Sequence, residues 1–528
     1  MRSNNPDRDR SLEMTIHEAA PTALVAQAAG STVDALFDAR VQAHPTRTAI
    51  QSGPHQLTYR DLQRRSRTLA TVLADLGIRR GTTLAVLSEN RTEYLEIILA
   101  AARLGAVVAC QSTRSSDAEL EAGLELVEPQ LTICSPRLHE RFGPVLRAQS
   151  EQVLVMGVRY EQALASATPW ASAAQASPED ILVIIYTSGT TGRPKGACIS
   201  HRAEIARSMS TRAELGLAAD ATFVAWSPLS HMGALDNSLS TLISGGTVVV
   251  VDGFDPAQIA SIVATQRLGW LLIMPGTTSR LVDALRAEPA EPAGVTICGV
   301  MPDLIPAEEI AELTTLLDAP FANTFGSTET GCPPCSANAI PVGHTPTELP
   351  KEQSAFCEVR LVDPDDFDVP PGSPGEICLR GPTLFSGYWN DPEATAEDFR
   401  GGWFHMGDVF VRRADGTLDF VDRVKYLIKS GGENVYPAEI ERVLLRDPRV
   451  LEAAVVRRTD PVWGEIPVAF VTRSTDSVSS AVLAEVCAQS LPRHKRPKAI
   501  HFVPAGSMPR NASGKIVRQE LEKLAAAW

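Results

Sequence analysis

The sequence predicts an α/β fold in two parts. A large N-terminal domain of α/β subdomains with a small β-subdomain precedes a small C-terminal α+β domain. Three observations predict it. The chain has 528 residues, too many for one compact core. From Thr32 to about Asp422, short β-branched runs alternate with amphipathic stretches, the pattern of parallel sheets covered by helices. After Arg423 a second α/β pattern of about 100 residues begins.

The elements follow in order. Residues 1–30 open with MRSNNPDRDR and an alanine-rich stretch, and read as a disordered extension in which Met14 is a second candidate initiator. Asp mixed with Arg, and Gln27 in a weakly apolar middle, argue against a signal peptide. Helical spacing of Val33, Leu36, Phe37 and Val41 starts ordered structure near Thr32. Strands are expected at 83–87, 131–134, 152–156, 247–251, 271–274 and 295–300, with helices at 59–76 and 91–104. Turn formers in PDDFDVPPGSPGEICLRGP place a small antiparallel β-subdomain within 343–384. Beyond Arg423 come a helix at 437–445, strands at 450–456 and 467–472, and a helix at 479–489. The expected boundaries are 31–422 for the large domain and 426–528 for the small domain, with 423–425 between them, the segment to which the family resemblance given below assigns the hinge.

Bulk properties exclude several functions. A net charge of −14 argues against nucleic acid as a partner, because phosphate binding needs a basic face. No uncharged apolar stretch reaches the length of a membrane span. Nine scattered cysteines, an odd number, fit a reducing cytoplasmic location.

The most informative segment is YTSGTTGRPKGA at 186–197, directly after the apolar run 181–185. That run reads as a buried strand. Eight of the twelve loop residues are Gly, Ser, Thr or Lys, a supply of backbone N–H groups, hydroxyls and one ammonium for a polyphosphate. The glycine and lysine spacing is not that of a Walker A loop. Taken alone, the segment leaves a flexible surface loop as the alternative.

The wording TSGTTGRPKG resembles the phosphate loop of the adenylate-forming superfamily: acyl-CoA synthetases, luciferases and peptide-synthetase adenylation domains. Five further segments match in family order: SPLSHMG at 227–233, NTFGSTET at 323–330, FHMGDV at 404–409, DRVKYLIKSGGENVYPAEIE at 422–441 and PRNASGKIVR at 509–518. The resemblance implies a two-step reaction with ATP, Mg2+ and coenzyme A. A carboxylate displaces pyrophosphate from the α-phosphorus of ATP, and a thiol then displaces AMP.

The resemblance also implies residue roles. Thr187, Ser188, Gly189, Thr190, Thr191, Gly192 and Lys195 would hold the β- and γ-phosphates. Glu329 would take the magnesium ion and Thr328 the α-phosphate, with Asn323, Thr324, Phe325 and Gly326 beside the nucleotide. Asp408 would accept from both ribose hydroxyls, a match of two acceptor oxygens to a vicinal diol, and Arg423 would reach the same ribose. Met406 stands where the family has Thr or Ser. Lys515 would bridge the acyl carboxylate and the phosphate, neutralising charge as two anions meet. Lys195, Thr328, Glu329 and Lys515 are therefore the expected catalytic residues. Lys425 occupies the pivot about which the small domain turns between the two steps. Its neighbour Tyr426 departs from the usual Asp. Gly431 and Gly432 would let the pantetheine arm pass.

His231, Met232, Gly233, Gly299, Val300 and Met301 are expected to line the acid pocket with Asn323, Thr324 and Phe325. These are apolar with one amide, which suits a bulky apolar or aromatic acid with a polar substituent. Met232 stands where amino-acid-activating relatives carry an Asp, which disfavours an α-amino acid; Asp236 lies nearby. The chain resembles bacterial aryl-acid CoA ligases, including naphthoate-type ones of secondary metabolism. Fatty or alicyclic acids, loading of a carrier protein, and an inactive adenylate-binding regulator are the alternatives. Because the chain ends at Trp528 without a carrier domain, free coenzyme A is the expected acceptor. A homodimer and a downstream acyltransferase are expected partners. Cys332-Pro-Pro-Cys335 lacks a second pair and reads as small residues near the pocket.

Overall fold

A computed structural model describes residues 30–188, 194–475, 477–510 and 515–527, the side chains of Ser188 and Leu304 apart. The expected extension at 1–30 thus lies almost wholly outside the described residues. So do Gly189, Thr190, Thr191 and Gly192 of the phosphate loop.

Two sheets form the large lobe. One has six strands, in the order Gln152–Val155, Leu131–Cys134, Thr83–Leu87, Val107–Cys110, Ile181–Ser188 and Pro194–Ser200. Its strands are parallel until the last, which pairs antiparallel with Ile181–Ser188. Thr83–Leu87 is buried at every residue, and so carries an apolar run without alternation. The second sheet has eight strands, with Val295–Cys298, Leu268–Leu271, Thr222–Ala225, Thr247–Val250 and Thr48–Ser52 at its centre. It is antiparallel only at its two edges. The expectation of parallel sheets therefore holds for the interior of each sheet, and hairpins close the margins.

Helix Thr92–Leu104 sits in the core shared by both sheets. Eleven of its thirteen residues are buried, too many for a one-faced surface helix. One continuous core joins it to Leu84, Val86 and Val108 of the first sheet and to Ile50, Phe223 and Val248 of the second. Helix Tyr59–Asp75 starts at a capping box of Thr58 and Asp61, and its Tyr59 hydroxyl donates to the carbonyls of Leu242 and Gly246.

Three expected strands shift. The strand expected at 271–274 is Leu268–Leu271. Leu272 and Ile273 stay buried but leave the ladder, and the Leu272 carbonyl accepts from the Trp226 indole instead. The strand expected to run to 300 ends at Cys298, because Gly299 turns at φ 73°. The strand expected at 450–456 runs on to Asp460, in a long hairpin with Gly464–Arg473.

The β-subdomain is a four-stranded antiparallel sheet of Glu358–Val362, Pro374–Arg380, Phe404–Arg412 and Leu418–Arg423. It extends beyond the 343–384 span expected for it. Its last two strands carry the FHMGD and DRVK segments, so this sheet ends in the hinge. The small lobe packs Ile428–Ser430, Glu433–Val435, Val450–Asp460, Gly464–Arg473 and Ala499–Phe502 into one sheet. Helices Pro437–Leu444, Ser480–Ser490 and Arg518–Ala527 flank it.

Candidate active site

Asp408 and Arg423 face each other across the last two strands of the β-subdomain. Asp408 is fully buried, and neither carboxylate oxygen has a hydrogen-bond partner. Arg423 Nε lies 2.7 Å from Oδ1 but off the line of a hydrogen bond. Burial pushes the Asp408 pKa up to about 6, against the pull of Arg423 and Lys515. A buried pair of acceptors without donors is the arrangement a vicinal diol would satisfy.

Lys195 and Glu329 meet through a residue that the motifs did not single out. Lys195 Nζ sits 4.5 Å over the ring of Tyr388. The Tyr388 hydroxyl lies 3.3 Å from Glu329 Oε1 and 3.0 Å from Asp398 Oδ2, so its one proton serves two carboxylates. Tyr388 is held against strand Pro194–Ser200 by backbone bonds from Trp389 to Gly196 and from Cys198 to Gly387. Its signal in the sequence is an aromatic pair in the turn Gly387-Tyr388-Trp389, outside any helical or strand period. Asp398, at the end of helix Pro392–Asp398, has no such signal. Among the described residues no three His, Cys, Asp or Glu side chains gather to hold a metal by themselves. One or two carboxylates beside a lysine do suit a magnesium ion that takes its other ligands from phosphate and water.

The turn carrying Thr328 and Glu329 is braced from below. Ser327 N donates to Thr330 Oγ1, and Glu329 N to Ser327 Oγ. The Thr328 carbonyl accepts from Arg207 at 2.9 Å. Gly326 is obligatory here, since a Cβ would stand 2.0 Å from the Gly331 carbonyl oxygen across the hairpin. Thr187 and Ser188 pair with Lys195 and Pro194, so the described ends of the phosphate loop form one antiparallel ribbon.

Lys515 arrives from the small lobe. It lies in the electrostatic field of Arg423, Glu329 and Asp408, and of His231 from the far side of the cleft. Protein crowds the side chain, yet it keeps solvent contact along the cleft. Burial and Arg423 lower its pKa, while the two carboxylates oppose them. The small lobe thus brings Lys515 into the field of Arg423, Glu329 and Asp408 of the cleft.

His231 caps helix Met232–Ser244 by accepting from Gly233 N at Nδ1. The surrounding protein, Lys515 and Arg114 push its pKa down, although the residue stays open to solvent. Met232 and Gly233 form the first turn of that helix. Gly299, Val300 and Met301 turn out of the second sheet, and the Met301 N–H reaches Thr324 Oγ1. A Cβ on Gly299 would overlap the Phe321 ring, so this wall is as thin as backbone allows. The amide of Asn323 is spent: Lys351 Nζ donates to it and its N–H₂ group donates to Pro350 O, both at 2.8 Å. Phe325 packs edge-on to Phe410 at 5.0 Å. The thiols of Cys332 and Cys335 are unbridged and pushed up by burial to about 11 and 12.

At the hinge, Tyr426 lies between two cations: Lys425 Nζ at 5.1 Å and Arg518 at 4.6 Å from its ring. Asp422 crosses to the small lobe, accepting from Ala438 N in the first turn of helix Pro437–Leu444. Gly431 and Gly432 turn at the exposed rim of the small lobe, Gly431 against the Trp463 ring.

A cleft of this make, closed by a lysine from a second lobe, suits a nucleotide and a second small substrate. Comparison with known proteins supplies the family. Residues 37–389 match the AMP-binding enzyme family and residues 439–515 match the AMP-binding enzyme C-terminal domain; the chain belongs to that family. It is 33% identical over 495 residues to a feruloyl-CoA synthase of Amycolatopsis sp., covering 92% of this chain and 97% of the relative. It is 31% identical over 484 residues to a 2-succinylbenzoate–CoA ligase of Bacillus cereus, covering 91% and 96%. Among solved structures, ATP-bound MatB from Rhodopseudomonas palustris superposes with a TM-score of 0.81 at 26% identity, over 94% of this chain and 99% of that one. No helix among the described residues is long and apolar enough to cross a membrane.

Proposed function

We propose that the chain is an AMP-forming acid–coenzyme A ligase acting on an aromatic acid. One observation carries the reading: Lys515 of the small lobe shares its electrostatic environment with Asp408, Glu329 and His231 of the large lobe. Ribose would sit on Asp408 and Arg423, and the polyphosphate on Lys195 and the loop before it. Glu329 would hold a magnesium ion, which when bound screens the phosphate charge. The acid lies between His231, Met232 and the thin wall at Gly299. Its carboxylate oxygen bonds to the α-phosphorus as the bond to pyrophosphate breaks, and Lys515 offsets the charge of the two anions. The hinge at 423–425 then turns the small lobe. Gly431 and Gly432 admit the pantetheine arm, the sulfur bonds to the acyl carbon, and AMP leaves.

The aromatic class is supported by the relatives named for feruloyl and 2-succinylbenzoate substrates. A cytoplasmic setting, a homodimer and an acyltransferase that consumes the thioester belong to the same proposal. The test is mass spectrometry of acyl-CoA and AMP over a panel of aryl, fatty and alicyclic acids. Aryl-CoA with one AMP per thioester is expected. Adenylation of fatty acids alone would move the substrate class, and acid-independent ATP turnover would overturn the ligase reading.

A further inference from the structure

Beside Met232 lies a cavity of about 10 Å³, room for one water-sized group. Polar side chains of Arg207, Ser208, Thr211, Asp236, Asn237 and Ser240 share its wall with Met232 and Cys332, between helices His201–Glu214 and Met232–Ser244. Several donors on that wall are already engaged. Arg207 donates to Asp236 at 3.1 Å and to the carbonyls of Thr383 and Thr328. Ser208 donates to Ser240, and the Asn237 amide donates to Gly233 O.

The acceptors are not matched. Asp236 is buried, and beyond the Glu204 carboxyl its Oδ1 meets no donor. Behind it sits Glu204, fully buried, whose carboxyl is kept protonated by burial and by the charge of Asp236. Arg207 and the Glu204 proton occupy two of the roughly four acceptor sites of the Asp236 carboxylate. The rest face a cavity sized for one small group.

We propose that this cavity is the distal end of the acid pocket and that Asp236 reads a hydrogen-bond donor there, so that the substrate is a hydroxy- or amino-substituted aromatic acid. The inference rests on the ligase reading and gives its substrate a chemistry. A methyl group in the cavity leaves the Asp236 acceptors unpaired, and a second carboxylate meets their charge. The polar substituent is thus read by Asp236, because the Asn323 amide is engaged with Lys351 and Pro350 and the Asn237 amide with Gly233 O.

The experiment measures kcat/KM for acyl-CoA formation by the intact chain. The probes are benzoate and 2-naphthoate, with their hydroxy, amino, methyl and second-carboxy derivatives at each ring position. A hydroxy or amino derivative should exceed its parent acid by about 10- to 100-fold, the worth of one hydrogen bond to a charged group. Methyl and carboxy derivatives should fall below the parent at that same position. Asp236→Asn should compress the ratio of kcat/KM for the donor-bearing acid over that for its parent. Should that variant not fold, the wild-type panel decides alone. Turnover of several acids with no advantage for a donor overturns this inference and leaves the ligase standing. Pyrophosphate release from none of them overturns the aromatic reading beneath it, and this inference with it.

Discussion

Two buried aspartates organise the large lobe, and they are built in opposite ways. Asp408 has no hydrogen-bond partner and a single guanidinium off line, and it opens toward the closing Lys515. Asp236 is locked to a buried arginine and backed by a second carboxyl. The first is a socket whose partners arrive with the substrate. The second is a strut that links the acid pocket, through Arg207, to the carbonyl of Thr328 beside Glu329. The same side chain leaves both oxygens open for a ligand in one place; in the other it holds a wall and has only spare acceptor sites to offer, and its neighbours decide which.

The contrast is sharpest in stability. Asp236→Ala strands the buried Arg207 charge and should cost about 3–5 kcal/mol in denaturant unfolding. Asp408→Asn should cost little. The folded pKa of Asp408, about 6, lies above its ordinary 3.8. Between those values the folded chain keeps a proton that the unfolded chain has lost, so this group lowers stability as pH rises through that window. Removing the ionisable group should therefore leave the ligand-free fold no less stable at pH 8. Equal losses in both variants would erase the distinction between strut and socket.

Binding reverses the order. Asp408→Ala should raise the KM for ATP about 10- to 100-fold, since ribose hydroxyls lose a charged acceptor. An unchanged KM would remove the ribose assignment. A smaller effect follows from titration. Only ionised Asp408 accepts from both hydroxyls, so the wild-type KM for ATP should climb as pH falls through about 6 and level off above it. Asp408→Asn should flatten that dependence; a profile unchanged in the variant would assign the titration to another group.

Motif-bearing parts of this cleft were legible in the sequence because one short segment carries each of them. Lys195, Glu329, Asp408 and Lys515 stand in runs whose wording resembles a family, and the fold gathers them around one cleft. The strut was not legible. Arg207, Asp236 and Thr328 lie on three separate segments, and no local period marks a charged pair that only tertiary packing brings together. Tyr388 and Asp398 escaped for the same reason. Asn323 shows the converse: its motif position was plain, but the commitment of its amide to Lys351 depends on a residue 28 positions away. Strand ends slipped where an apolar run outlasts its ladder, as at Leu272, or where Gly299 turns early.

The central claim is that Lys515, delivered by a lobe that later turns away, serves only the first of two chemical steps. Lys515→Ala measures this directly, with pyrophosphate release from ATP and the preferred acid on one side and acyl-CoA formation from supplied acyl-adenylate on the other. The account predicts that the first falls about 10²- to 10³-fold, as when one group stabilising transition-state charge is removed, while the second stays near wild type. Equal loss in both, in a variant that folds, would contradict it.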